Sequence, residues 1–174
     1  MRKSMLFLFA ILSVAYMSCN SGGMSATAKK NLEVNTAIMK AYESGDFSKM
    51  GDYIAADAVD HGGEKGDVKG LENIISEMKR YREMVKDAKV EVIKEMADDN
   101  YVMSWTKTSG TMTMSGMGKQ AGETTSMSGI DVTKFKDGKA VEHWIFMDGA
   151  EVGKMMQAMM PSDVPKPGPV TPVN

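Results

Sequence analysis

The chain has 174 residues, enough for one domain, with 43% hydrophobic and 25% charged residues. This balance is typical of a globular protein and excludes a disordered chain or a protein with many membrane spans. Lys and Arg number 21 against 23 Asp and Glu, so the formal net charge of −2 argues against a nucleic-acid partner. One Cys excludes a disulfide framework within the chain and a Cys-based zinc cluster.

The N-terminus has the features of an export signal. Residues 2–3 are basic, and residues 5–17 are apolar apart from one serine. This apolar segment is shorter than the roughly 20 residues that span a bilayer, so residues 1–18 are predicted to be a signal peptide. The sequence Tyr-Met-Ser-Cys ending at Cys19 resembles a bacterial lipobox, which implies a lipid on Cys19 and a membrane anchor in the bacterial cell envelope, on the periplasmic or surface side. The alternative is an ordinary secretory signal followed by an incidental cysteine.

The composition changes again at both ends of the mature chain. Residues 19–28 are mostly small and polar and are predicted to be a flexible tether. All five prolines lie in the C-terminal segment 161–174, which cannot continue a helix and is predicted to be a disordered tail. Residues 29–160 therefore form the predicted folded domain.

Helical periodicity dominates the first half of this domain. Apolar residues at near-helical spacing predict a first helix at 29–44, with Gly45 as its C-cap. A second, short helix is predicted to begin at Asp46. The clearest helical stripe predicts a third helix at 71–83, and the glycine-rich segment before it is predicted to be a loop.

The second half has the alternation of β-strands. Strands are predicted at 89–96, 101–114, 123–135 and 140–147. The pair Asp137-Gly138 predicts a tight hairpin, and Asp148 is predicted to cap a final short helix that carries Met155 and Met159. The fold class is therefore α+β, with three N-terminal helices packed on a curved antiparallel sheet and a short C-terminal helix, which together form a cone open at one end.

Three short motifs in the chain resemble those of one known family. Residues 137–144, Asp-Gly-Lys-Ala-Val-Glu-His-Trp, followed by Asp148, are similar to a signature of SnoaL-like proteins in the nuclear transport factor 2-like superfamily. Residues 42–46 and 53–72 resemble earlier segments of the same family. The resemblance covers residues 30–160 and implies a cone with a deep apolar pocket and dimers through the outer face of the sheet.

The resemblance also exposes a departure from the family pattern. In catalytic relatives an aspartate that acts as general acid and base occupies the position of Ile145, and an isoleucine cannot exchange a proton. Asp148 does not replace that aspartate, because the predicted helix cap explains it. The usual acid/base position is thus expected to hold no group that exchanges protons. Whether the protein is an enzyme stays open.

The remaining candidates for chemistry are the two histidines. His61 and His143 map to pocket-facing positions if the resemblance holds, and a histidine exchanges protons near neutral pH. The alternative for His143 is a buried polar group with satisfied hydrogen bonds, and Asp60 is expected to be a solvated turn residue. The other predicted pocket residues are Tyr53, Met103, Trp105 and Ile145, although Met103 and Trp105 fit a dimer face equally well.

Nineteen methionines raise a further alternative. Thioethers suit Cu(I), and Met112, Met114 and Met117 are closely spaced. The simpler interpretation is that methionine serves as a flexible apolar filler, with Met112 and Met114 on one strand face. The sequence predicts no cofactor and no metal site.

Two functions follow from these observations. The first is an exported, lipid-anchored domain that binds a small apolar molecule in its cone, with a homodimer as a further possibility. The second is an isomerase, cyclase or hydratase that transfers protons through His61 and His143.

Overall fold

The computed structural model describes residues 23–63, 65–116, 119–150 and 152–153. The predicted signal peptide, Cys19, the proline-rich tail and most of the predicted C-terminal helix lie outside the described residues. Within the described ranges, no helix is both long enough and apolar enough to cross a bilayer.

The predicted α+β class is confirmed, with most of the helices before the main strands. In chain order the elements are α1 (Ala26–Ser44), α2 (Met50–Tyr53), β1 (Ile54–Asp60), β2 (Val68–Lys69), α3 (Leu71–Met84), β3 (Val85–Ala97), β4 (Tyr101–Met112), β5 (Thr124–Lys136) and β6 (Lys139–Met147).

Both ends of α1 are capped as its sequence allows. The Ser25 hydroxyl accepts a hydrogen bond from the Ala28 amide at 3.0 Å, a type of cap that stabilises a helix by about 1 kcal/mol. Gly45 ends the helix in the left-handed region, with φ 74°, and donates to the Ala41 carbonyl at 2.9 Å. The helix therefore begins within the predicted tether, and residues 26–28 are helical rather than flexible.

The second helix is shorter than expected. Helix α2 is a single turn, and Ile54 already begins β1. Phe47, Met50 and Ile54 have the spacing of one helix face because all three are buried in one core cluster, although they belong to the loop before α2, to α2 and to β1.

The sheet is larger than the predicted four-stranded meander. Six strands pair in the order β2-β1-β6-β5-β4-β3, and β1 runs parallel to β6 whereas the other neighbours are antiparallel. The β5–β6 hairpin turns as predicted at Asp137 and Gly138, whose φ values are 53° and 76°.

A bulge shifts the register of this hairpin. Phe135 pairs with Ala140, but the next pair is Lys134 with Glu142, which leaves Val141 without a partner in β5. Because side chains alternate between the faces of a sheet, a shift of one residue changes which side chains of β5 and β6 share a face.

The two faces of the sheet have different environments. On β4, Val102, Ser104 and Thr106 are buried beneath the helices on what we call the inner face, whereas Met103 and Trp105 are 41% and 51% exposed on the outer face. The main core lies between the inner face and the helices, and its buried members are Phe47, Met50, Ile54, Ala58, Ile74, Val102, Phe135 and Ala140.

Candidate functional site

Three ionisable side chains meet on the inner face of the sheet. His143 on β6 pairs with Asp60, the last residue of β1, and its Nδ1 lies 3.0 Å from Asp60 Oδ1. Its Nε2 lies 3.4 Å from Oδ1 of Asp131 on β5. The imidazole is thus placed between two carboxylates, and we call these three residues the Asp60–His143–Asp131 cluster.

The two carboxylates decide the charge of His143. Burial alone would lower the pKa of the imidazole, but hydrogen bonds to Asp131 and Asp60, together with their charges, raise the pKa of His143 to about 9. His143 is therefore protonated at neutral pH. The side chains of His143, Asp60 and Asp131 are 33%, 25% and 26% exposed, so solvent or a small molecule can reach the cluster.

Asp60 is held from two directions. Its Oδ1 atom accepts a hydrogen bond from the Gly62 amide at 2.8 Å in addition to its contact with His143. Burial would raise the pKa of Asp60, but the hydrogen bond and charge of His143 outweigh it and lower the pKa overall. The expectation that Asp60 is a solvated turn residue is therefore wrong, because the parallel pairing of β1 with β6 turns its side chain towards His143.

Asp131 has a partner for each carboxylate oxygen. While Oδ1 faces His143, Oδ2 accepts a hydrogen bond from the hydroxyl of buried Thr106 at 2.8 Å. Thr106 lies on β4, so three adjacent strands together orient this carboxylate.

A second polar group lies beside the cluster and joins α1 to the sheet. The Asn35 amide donates to Ser104 Oγ at 3.0 Å, and the Thr133 hydroxyl donates to Asn35 Oδ1 at 3.3 Å. Ser104 in turn donates to Glu95 Oε1 at 2.8 Å. Ser104 pairs with Asp131, and Thr133 pairs with His143, so the helix contacts the sheet at the residues next to the cluster.

Ile145 lies on the inner face, as strand alternation predicts. It pairs with Asp131 across the hairpin and is 39% exposed. A Cβ added to Gly62 would lie 2.8 Å from Ile145 Cγ2, so the loop after β1 packs directly against this side chain. The carboxylate beside His143, which the family pattern does not predict at position 145, comes instead from Asp131 on the neighbouring strand.

The structure does not bring the two histidines together. His61 follows Asp60 and therefore points to the opposite, outer face, where its ring stacks on Trp144 with centroids 4.8 Å apart. Its Nδ1 lies 2.9 Å from Asp67 Oδ1, and its Nε2 lies 3.5 Å from Glu142 Oε2. The expectation that both histidines face one pocket is thus corrected.

Three other predicted pocket residues are also separated from the cluster. Met103 and Trp105 project from the outer face, since they alternate with buried Val102 and Ser104. This pair therefore lies on the exposed outer face of the sheet and not beside the cluster. Tyr53 packs against the main core at the end of α2.

The remaining sequence candidates have local explanations. Asp148 Oδ1 accepts a hydrogen bond from the Ala150 amide at 2.8 Å, as a helix cap does. Met112 is buried whereas Met114 is exposed beyond the end of β4, so the two do not share a strand face as expected. In the part of the chain that the structure describes, no group of three or more His, Cys, Asp or Glu side chains is arranged to hold a metal ion.

One cavity of about 220 Å³ lies away from the cluster, between the end of α1 and α3. Its lining includes Arg82, whose guanidinium donates to the backbone carbonyls of Tyr42, Glu43 and Val85. Arg82 therefore fixes the end of α1 to the start of β3, and its donors serve this structural role.

Comparisons with known proteins agree with this architecture. A SnoaL-like protein from Jannaschia sp. has a TM-score of 0.68 at 17% identity, over 83% of this chain and 99% of that one. A SnoaL-like polyketide cyclase from Agrobacterium tumefaciens has a TM-score of 0.61 at 12% identity, over 72% and 97%. An LEH-like epoxide hydrolase from M. tuberculosis has a TM-score of 0.60 at 14% identity, over 76% and 90%.

These identities establish a common fold and leave the chemistry to the residues themselves. A search of curated sequences finds no match. The model of the SnoaL-like polyketide cyclase family matches residues 32–156, which is most of the 174-residue chain. The chain therefore belongs to the SnoaL-like polyketide cyclase family.

Proposed function

We propose that the protein is an enzyme of the isomerase or cyclase type, which moves protons next to a carbonyl group of a small, largely apolar substrate. The single observation that supports this proposal is the position of His143 between Asp60 and Asp131 on a partly open inner face. A protonated acid beside a carboxylate base is the pair of groups that such a transfer needs.

Each member of the cluster has a distinct role in this proposal. The Nε2 proton of His143 is donated to the carbonyl oxygen, while the Asp131 carboxylate removes a proton from the neighbouring carbon, which yields an enol. Asp60 keeps the other ring proton on Nδ1 and stabilises the imidazolium before the transfer. When the enol is conjugated to a second double bond, Asp131 returns its proton to the far carbon while His143 takes back the enol proton, which completes an isomerisation. In a cyclisation the enol carbon attacks a second carbonyl, the proton on Asp131 passes to that carbonyl oxygen, and the enol proton returns to His143.

The test is hydrogen exchange in a panel of apolar cyclic ketones. The full-length protein is incubated with each ketone in D₂O, and loss of the hydrogen next to the carbonyl is followed by NMR. His143→Gln and Asp131→Asn are each expected to slow exchange by about 100-fold or more, the usual contribution of a general acid or base. Asp57→Asn, at an exposed site on β1, is the matched control. Exchange at the same rate in all variants would contradict the proposal.

A binding module is the second candidate, and it is favoured by Ile145. This exposed aliphatic side chain on the inner face offers an apolar contact at the position where catalytic relatives have a carboxylate. Native mass spectrometry of the purified protein is expected to detect a small apolar ligand, and Ile145→Asp is expected to reduce its occupancy. A ligand retained by Ile145→Asp would count against this second candidate. Bound copper in the same spectra would instead support the methionine-based alternative.

We also propose that the protein is exported and anchored to the bacterial membrane through a lipid on Cys19. The support is the sequence alone: a basic start, a short apolar segment and a single cysteine directly after it. In cell fractionation, Cys19→Ala is expected to move the protein from the membrane to the soluble fraction. Unchanged membrane association would contradict lipidation at this position.

A further inference from the structure

His61 forms a compact group on the outer face, directly behind the cluster. Its ring stacks on Trp144 with an interplanar angle of 16°, and its two nitrogens face Asp67 and Glu142. Glu142 is itself paired with Lys134 at 2.6 Å. The His61 amide also donates to the His143 carbonyl at 2.8 Å, so both backbone and side chain of His61 hold it to β6.

This group holds the end of a strand that carries a residue of the cluster. Asp60 is the last residue of β1, and the next residue, His61, is still held to β6 by its backbone amide. Because successive side chains point to opposite faces, Asp60 reaches His143 on the inner face while His61 is held on the outer face. A movement of His61 away from Trp144 would carry Asp60 away from His143.

We propose that His61 is a positioning residue: by binding Trp144 and Asp67 on the outer face, it holds Asp60 against His143 on the inner face. Its importance for turnover rests on the proposed function, but the coupling between the two faces does not. Asp60 in its held position keeps His143 protonated, so His61 sets the ionisation of an imidazole that it does not touch with its own side chain.

The strength with which His61 holds Asp60 is expected to depend on pH. The hydrogen bond to Asp67 raises the pKa of His61, with burial opposing it and Glu142 adding to it. The charged groups facing His61 are thus Asp67 from the loop and Glu142 from β6, the latter shared with Lys134. The protonated ring donates to Asp67 through Nδ1 and attracts Glu142 by its charge, so the hold on Asp60 is strongest below the pKa of His61 and weakens as the pH rises above it.

The chain has only two histidines, which makes the test direct. In the full-length His61→Gln variant the single remaining imidazole is that of His143, and its titration is read by NMR without assignment. We expect the pKa of His143 to fall from about 9 by about one unit, a tenfold change in its ionisation constant. Asp67→Asn, at a side chain 46% exposed, is expected to lower it by a smaller amount and to leave the fold intact.

The control is Asp57→Asn, which removes an exposed carboxylate from the same strand without touching His61. If the His143 titration is unchanged in both His61→Gln and Asp67→Asn, the inference is wrong. If His61→Gln does not fold, Asp67→Asn alone decides. The titration needs no substrate, so it tests this inference separately from the proposed function. A lowered His143 pKa in the variants, in a protein that catalyses no ketone exchange, would refute the proposed function and leave this inference standing. Ketone exchange together with an unchanged His143 pKa would refute this inference alone.

Discussion

At the scale of single residues, the protonation of His143 links the cluster to stability. Its pKa in the folded chain, about 9, lies above the ordinary value of about 6.5 for histidine. Between these values the folded state holds a proton that the unfolded state has released. The stabilisation is therefore complete below about pH 6.5 and is lost as the pH rises towards about 9.

This dependence is measurable by urea unfolding between pH 6 and pH 10. The free energy of unfolding of the wild type is expected to fall over that interval, and His143→Gln is expected to flatten the fall because it removes the titrating group. Equal slopes in the two proteins would show that His143 is not held as a cation.

Thr106 offers a test of how Asp131 is oriented. Thr106→Val keeps the shape of the side chain but removes the hydroxyl that donates to Asp131 Oδ2. Loss of a hydrogen bond to a charged, partly buried partner is expected to cost about 2 kcal/mol of stability and to slow ketone exchange about tenfold. Thr106→Ser retains the hydroxyl and is expected to recover most of both losses, as measured by urea unfolding and by the exchange assay. A Val variant with wild-type exchange would mean that Thr106 does not orient the base.

At the scale of elements, the contact between α1 and the sheet depends on one buried amide. Asn35→Leu fills a similar volume but leaves the buried Thr133 hydroxyl without its acceptor and removes the amide that donates to Ser104 and Glu95. This change is expected to destabilise the fold by about 2–3 kcal/mol in urea unfolding, since buried polar groups without partners are costly. Glu33→Leu, at an exposed position of the same helix, is the control and is expected to change stability little. Equal effects of the two substitutions would argue against a specific role of Asn35.

The elements could be predicted more fully than the site. Hydrophobic periodicity was sufficient for α1, α3 and four strands. Most of these elements pack apolar side chains in the main core, whereas the buried residues of β3, Val85 and Ala88, form a separate cluster with Met112.

Asp131 could not be paired with His143 by counting back from the turn, because an unshifted hairpin pairs Asp131 with Trp144 and leaves His143 on the opposite face. The bulge at Val141 moves the pairing to Ile145 and thus brings His143 to the face of Asp131. No residue type marks such a bulge in the sequence.

A similar limit applies to the pairing of β1 and β2. The sequence predicts an extended segment at 58–61, but a parallel partner far along the chain leaves no local signal of the strand that it pairs with. The pairing of Asp60 with His143 joins residues more than 80 positions apart, so the two members of the cluster could be recognised only in the folded chain.

At the scale of the whole molecule, the outer face of the sheet is unusually apolar for an exposed surface. Trp105, Ile130 and Phe146 form one row across three strands, and Met96 and Met103 begin the next. A contiguous exposed apolar patch of this kind marks an interaction site. We propose that a second copy of the chain covers it.

This proposal is tested by size-exclusion chromatography with light scattering. The wild type is expected to have the mass of a dimer, and Trp105→Glu and Phe146→Glu are expected to be monomeric because each places a charge within the apolar row. Lys79→Glu, on the exposed side of α3, serves as the control. A monomeric wild type at high protein concentration would refute a homodimer.

Val141 has no partner in β5. The number of residues in this hairpin therefore matters more for the arrangement of the cluster than the identity of its side chains does. Deletion of Val141 would remove the bulge from the pairing of β5 with β6. His143 and Asp131 would then lie on opposite faces of the sheet. Mutant libraries that vary only side chains along these strands keep the two groups together. Single-residue deletions at Val141 are therefore expected to abolish activity in otherwise folded protein.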